Sequence, residues 1–315
     1  MDTKTAWNSF SELATAQELY DYMQDRPFGH KYFYHYTKVS IINLILKNRE
    51  IWLSCVSGFN DKADGEQFGE EETQKYYSIS FSTGDSENLA LWYLYSGVGG
   101  NGGRIGFTCK KLLKSLDHGE FYIFEKTKTG TKKRPLHKLT RGVDMKLTLG
   151  EVLYASEGRK YAGLRYNTMT NYGRITNDTL KEYSKMAKGF CKDSIWYYEK
   201  ESRLLLELSD EIFKKLNHKK EYVVVWKLPE TVVRSLRVMF APEIEEEADL
   251  DEYDAIIGHG KKNKPLEYSQ FKGAIKMKLC SGCKHKEKLR QKNKKIKTTC
   301  ENCKNTRVVK EANKL

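Results

Sequence analysis

The sequence predicts an α+β fold, and three observations predict it. Runs rich in aromatic and β-branched residues, "KYFYHYT", "EIWLSCV", "YYSISFS" and "EYVVVWKL", recur along the chain. Segments with helical spacing, such as "KVSIINLILKNR", lie between some of them. The two kinds do not alternate regularly, as a parallel βαβ sheet would require. At 315 residues the chain has room for one large domain or two modest ones. Its 31% charged residues make it polar, but 12% aromatics argue against wholesale disorder.

Taken in order, residues 1–30 read as a helical segment, with Phe10, Leu13, Leu19, Tyr20 and Met23 near helical spacing and Pro27 and Gly29 ending it. "KYFYHYT" is a strand, "KVSIINLILKNR" a short amphipathic helix with a cationic end, and "EIWLSCV" a second strand. "SGFNDKADGEQFGEEETQ" is a polar, acidic loop. "YYSISFS" is a third strand, and "SENLALWYLYS" a helix capped by Ser86. "GVGGNGG" reads as a hinge before the strand "RIGFTC". Residues 126–141 are basic and poor in apolar side chains, an exposed excursion before the strand "LGEVLYA". Residues 165–193 have helical spacing. "WYYEKESRLLLEL" and "EYVVVWKL" are strands, the second apolar enough to be central, and "AIIGHG" is a last short strand. The expected division is a helical segment at 1–30, a main domain at 31–274 and a small basic unit at 275–315.

That last unit follows from charge and cysteine spacing. The net charge of +13 is concentrated at the C-terminus: residues 276–315 hold 14 Lys and Arg against three Glu, which is +11 and leaves +2 for the other 275 residues. Such a concentrated cation suits a polyphosphate partner. Cys280 and Cys283 form C-x2-C, and Cys300 and Cys303 repeat it after a 16-residue gap. Two such knuckles supply four thiolates for a structural zinc ribbon. Zinc binding contributes roughly 10–16 kcal/mol of folding free energy to a unit too small for a core. Cys55, Cys109 and Cys191 are scattered and read as reduced core residues. No apolar run is long enough to cross a bilayer, so no membrane partner is expected. The first residues lack the basic start and apolar core of a secretory signal, and the expected location is the cytoplasm.

Several familiar chemistries have no motif here. The cluster Gly97, Gly99, Gly100, Gly102 and Gly103 follows a helical segment and precedes a strand, the wrong order for cradling a pyrophosphate. No G-x4-G-K-[ST], H-E-x-x-H or G-x-S-x-G occurs. What remains is dispersed. In "YFYHYT", alternation places Phe33, His35 and Thr37 on one strand face and Tyr32, Tyr34 and Tyr36 on the other. Such a face can hydrogen-bond a ribose while aromatics stack on a flat ring; a satisfied core histidine is the plainer reading. "SISFST" places Ser78, Ser80 and Ser82 together, as an edge strand or as hydroxyls that buttress a carboxylate. In a strand Ile195, Tyr197, Glu199, Glu201 and Arg203 would share a face. On a surface the charges form an ion pair worth under about 1 kcal/mol. In a cleft, desolvation and repulsion drive the two acids apart in proton affinity.

Together, "YHYT", "FND" with Asn60 and Asp61, Glu66, "SFS", "LWYLYS" with Trp92 and Tyr95, and "WYYEKESR" resemble, in their order, the bacterial domain of unknown function 2971 family. The likeness covers roughly residues 32–203, and that family in turn resembles ADP-ribosyltransferases. The resemblance implies a mixed, split β-sheet with peripheral helices, and NAD as substrate. It implies that His35 holds the adenine-side ribose, with Tyr36 and Thr37 beside it. Ser80, Ser82 and Tyr95 match the middle motif around the nicotinamide, and Glu199-Lys200-Glu201 matches E-x-E. Glu201 would then stabilise charge on the ribose, and Glu199 would orient or deprotonate the acceptor. With the basic tail, the expected activity is transfer of ADP-ribose to nucleic acid, RNA favoured over DNA. A bacterial enzyme of this kind would act as a toxin or phage-defence effector, with a neutralising antitoxin protein. The rivals are a magnesium-dependent nuclease built on His35, Asp61, Glu66 and the later acids, a non-enzymatic zinc-ribbon nucleic-acid binder, and an NAD glycohydrolase.

Overall fold

A computed structural model of the protein describes residues 12–59, 61–84, 86–95, 102–127, 130–132, 134–155, 175–242 and 266–271, with short strand pieces at 298–299 and 306–307. Helix α1 (Ala16–Asp25) begins with a capping box, in which Thr15 accepts from the Glu18 amide and Glu18 reaches back to the Thr15 amide. After a 3-10 turn come β1 (Tyr32–Lys38), α2 (Val39–Asn48) and β2 (Glu50–Cys55). The acidic segment expected as a loop holds the short helix α3 (Lys62–Glu66) and a 3-10 turn, Glu70–Lys75. Then follow β3 (Tyr76–Thr83), α4 (Leu89–Tyr95), β4 (Gly102–Thr108), α5 (Cys109–His118) and β5 (Glu120–Thr127). Asn88, not Ser86, caps α4: its Oδ1 accepts from the amides of Ala90 and Leu91.

The basic excursion carries two short strands. It returns β6 (Gly130–Thr131) and β7 (His137–Leu139) to pair with β5. Next are β8 (Met145–Glu151), β9 (Leu153–Ala155), α6 (Asn177–Met186) and β10 (Cys191–Asp193). The chain continues through β11 (Glu201–Leu208), α7 (Asp210–Lys214), β12 (Tyr222–Lys227), α8 (Glu230–Val233), β13 (Arg237–Phe240) and β14 (Leu266–Tyr268). "AIIGHG" and the glycine run 97–101 lie outside the described residues, as do Cys280, Cys283, Cys300 and Cys303. Cys55, Cys109 and Cys191 are free thiols, partly buried against the core.

The protein is α+β, with a large, mostly antiparallel sheet of twelve strands and peripheral helices. Strand β3 is where the sheet divides. On one edge β3 pairs with β11 along its length, from Tyr76 opposite Glu207 to Ser82 opposite Glu201. On the other edge it pairs with β2 only at Tyr77 and Ser78, and with β1 only at Ser82 and Thr83. From there β1 leads to β4, β13 and β14, whereas β2 leads to β12, β5 and β6. Ile79, Ser80 and Phe81 therefore face a gap between diverging strands.

The two sheet faces differ in chemistry because strand side chains alternate. One face carries Phe33, Ile51, Leu53, Ile79, Phe81, Leu204 and Leu206, packed with Ile42, Ile45 and Leu46 of α2 and Leu112 and Leu116 of α5. Burying this much apolar surface is the main stabilising term, at roughly 25 cal/mol per Å². The register puts Trp52, Ser54, Ser78, Ser80, Ser82, Arg203 and Glu201 on the opposite face. β12 is flanked by β2 and β5, as its apolar run predicts. Among the described residues no helix is long and apolar enough to cross a membrane.

Candidate active site

Ser80 sits at the split and touches both of its flanks. Its backbone carbonyl, which β1 leaves without a strand partner, lies 3.0 Å from His35 Nδ1. A carbonyl only accepts, so Nδ1 carries the proton and Nε2 is left as an acceptor. Burial lowers the His35 pKa below its usual range, against the pull of the Ser80 carbonyl, and so favours the neutral ring. The ring meets Phe81 edge-on, with centroids 6.3 Å apart. The Ser80 hydroxyl donates to Glu201 Oε1.

The Glu199-Lys200-Glu201 segment is not a continuous strand, which corrects the expected alternation from Ile195 to Arg203. Ser194–Glu199 is a 3-10 turn, with Asp193 accepting from the Ile195 amide at its start. Lys200 is left-handed, at φ 45° and ψ 54°. Its carbonyl is held by the Thr83 amide at 3.0 Å and the Thr83 hydroxyl at 3.1 Å. Only at Glu201 does β11 begin. The turn lets both buried acids meet one ammonium: Lys192 Nζ lies 2.5 Å from Glu199 Oε2 and 3.3 Å from Glu201 Oε2.

Arg203 completes the arrangement. Its Nε and Nη2 donate to Glu201 Oε1 and Oε2 at 2.7 and 3.1 Å. Its Nη1 and Nη2 donate to Asp64 Oδ1 and Oδ2 at 2.8 and 2.7 Å. Nη1 also donates to the Gly189 carbonyl, and the guanidinium lies over the Phe59 ring at 4.9 Å. Gly189 is required there: its φ is +79°, and a Cβ would lie 2.5 Å from Phe68 Cζ. Burial alone would raise the Glu201 carboxyl, but Arg203 and Lys192 outweigh it and hold it at about 2. Burial also raises the Asp64 carboxyl above its usual value, with Arg203 pulling against it. The Tyr154 hydroxyl accepts from the Glu201 amide at 2.9 Å. Tyr95 donates its hydroxyl to Glu199 Oε1 at 2.5 Å, and burial followed by that bond raises the phenol's pKa.

His35, Phe59, Asp64, Ser80, Lys192 and Arg203, with Tyr95 and the two glutamates, line a cavity of about 280 Å³. Of the sequence-derived candidates, His35, Tyr36, Ser80, Ser82, Tyr95, Glu199 and Glu201 are in its wall. Thr37 is not; it pairs with Gly103 on β4. The Tyr36 hydroxyl is committed to packing, accepting from Arg104 Nη1 at 2.8 Å and from the Asn88 amide at 3.1 Å. Trp92 is fully buried beneath Tyr36. Asp61 lines the cavity, Glu66 is exposed on α3, and Asn60 lies outside the described residues. Sequence reading missed Asp64, Lys192, Tyr154, Trp52 and Trp196. Asp64 lies four residues past "FN" in "FNDKAD", and only its pairing with Arg203 separates it from its acidic neighbours. Among the described residues no group of three His, Cys, Asp or Glu side chains is placed to hold a metal ion.

Chemically, the site offers an ionised carboxylate held by three side chains, a second acid two residues away, and a neutral imidazole acceptor across the split. No family model, curated protein or solved structure matches the chain.

Proposed function

We propose that the protein is an NAD-dependent ADP-ribosyltransferase that modifies nucleic acid, RNA in preference to DNA, as a bacterial toxin or phage-defence effector checked by a neutralising protein. One observation carries this reading: Ser80 joins His35 to Glu201 where the sheet splits, so an imidazole and a buried carboxylate line one cavity. The division of the sheet at β3 lends support, since the ADP-ribosyltransferase resemblance implies a split sheet.

The residues suit the substrate. When the bond between nicotinamide N1 and ribose C1′ breaks, its electron pair leaves with the nicotinamide and positive charge develops on the ribose ring. Glu201, held at about 2, stays ionised at any physiological pH and stabilises that charge. Its longest contact, 3.3 Å to Lys192, is the one that a ribose hydroxyl displaces at least cost. His35 Nε2 accepts from a hydroxyl of the other ribose. Glu199 receives the proton that the acceptor loses as its nucleophile bonds to C1′. The +11 C-terminal segment supplies phosphate contacts, and Cys280, Cys283, Cys300 and Cys303 hold a structural zinc. The strand pairing of Thr298 with Arg307 and Thr299 with Thr306 brackets the second cysteine pair.

The nuclease reading has less support, because Asp64, Glu199 and Glu201 are already matched with Arg203 and Lys192. The decisive experiment incubates the protein with labelled NAD and RNA, DNA or protein. Transfer of label to RNA, reduced about a hundred- to a thousandfold by Glu201→Gln, is expected. Nicotinamide release without transfer would make the protein an NAD glycohydrolase. Absence of both would remove the proposal.

A further inference from the structure

The cavity has a second half that the proposed reaction does not use. On the β2 side of the split Trp52 is 45% exposed, although its cross-strand partner Val225 is only 3% exposed. Single exposed apolar side chains are ordinary on protein surfaces. This one belongs to the wall of the cavity that holds Glu199 and Glu201. Beside it on the same face run Ser54, Ser78 and Ser80, whose small side chains leave a trough. Ser78 also lines the cavity, is 4% exposed, and its hydroxyl has no hydrogen-bond partner among the described residues. A buried hydroxyl without a partner carries a desolvation cost that a polar ligand edge would relieve. The trough thus combines an open aromatic face with an unmet polar group.

Charge decides what fits. Lys192 and Arg203 are already matched with Glu199, Glu201 and Asp64, and Trp52, Ser54 and Ser78 carry no charge. The trough therefore gives a phosphate no cation to meet, whereas an aromatic face and an unmet hydroxyl suit a neutral planar ring with a polar edge. We infer that the Trp52–Ser54–Ser78 trough is a stacking subsite for one unpaired nucleobase of a single-stranded RNA acceptor. This rests on the proposed function for its purpose, but the binding is separately measurable. A base held in a duplex cannot enter, because its faces are stacked and its edge is paired. The phosphates of that strand stay outside the trough.

The test measures binding of a short single-stranded RNA to the full chain and to its Trp52→Ala and Trp52→Phe variants, at salt high enough to screen phosphate contacts. Stacking quenches tryptophan fluorescence in the native protein. Trp52→Ala is expected to weaken binding about five- to hundredfold and Trp52→Phe by less, while duplex RNA gives no quench. Native affinity in Trp52→Ala overturns the subsite. NAD cleavage by the native protein is followed in parallel. RNA binding that depends on Trp52, without any use of NAD, leaves the subsite standing and removes the transferase reading. NAD use with Trp52-independent RNA binding does the reverse.

Discussion

Arg203 grips Asp64 through two parallel hydrogen bonds, at 2.8 and 2.7 Å, with side chains only 1% and 2% exposed. The same guanidinium holds Glu201. One cation therefore ties α3 to β11 and fixes the proposed catalytic carboxylate. Its planar, forked geometry allows both grips at once, which a lysine could not provide. Asp64→Ala leaves the guanidinium half-compensated in a dry site. The expected loss is about 3–5 kcal/mol of unfolding free energy, measured by urea titration. A loss under about 1 kcal/mol would show that water reaches Arg203 and that the pair is not a fixed support.

The Glu201 carboxyl sits at about 2, against 4.5 for a free one. Its folded form therefore holds a proton less tightly than its unfolded form. The stability this contributes, about 3 kcal/mol, is fully present above pH 4.5 and drains away as pH falls toward 2. His35 acts earlier: its pKa is lowered by burial, so the unfolded chain takes up that proton first, and stability begins to fall below about 6.5. Urea unfolding between pH 7 and 2.5 should show both losses in the native protein. Glu201→Gln should keep the first and flatten the second. Parallel curves for the two proteins would mean that Glu201 is not the group being protonated.

The parts of this arrangement legible in sequence were those with a local signature. Alternation in "YYSISFST" gave a strand with serines on one face, and "EYVVVWKL" read as central because it is apolar throughout. Glu199 and Glu201 stood out as a pair, but the reason they converge did not. It lies in a left-handed Lys200, and lysine carries no signal for that conformation. Lys192 and Asp64 were invisible for a different reason. Each gains its meaning from a partner 7 to 139 residues away, through contacts that only the tertiary fold creates. The split of β3 between two partner strands likewise follows from which strands pair, not from any strand's own pattern.

Lys200 itself is testable. A left-handed backbone costs a non-glycine residue roughly 1–2 kcal/mol, and a β-branched side chain fits it worst. Lys200→Gly should be tolerated with stability near native. Lys200→Val should cost about 1–2 kcal/mol more and misplace Glu199 relative to Lys192, since the turn sets both acids on one ammonium. Thermal unfolding of the two variants separates these outcomes. Equal stabilities would mean that the Thr83 contacts, not the residue at 200, set the turn.

The C-terminal segment can be separated from the sheet by argument before it is separated by deletion. All twelve strands of the main sheet end by Tyr268, so removing residues 276–315 takes away none of them. It does take away 14 Lys and Arg. The full chain should carry one zinc, lost when Cys280 and Cys303 are replaced by serine, as metal analysis would read. Its affinity for single-stranded RNA should fall steeply with salt. The slope should shrink on deletion by about 0.7 for each cation that meets a phosphate. Near-ultraviolet circular dichroism of the shortened chain should keep the signal of the buried Trp226, which stacks between Phe107 and Phe121. A shortened chain that loses that signal would mean the segment helps to hold the sheet together, and an unchanged salt slope would mean that RNA is held elsewhere.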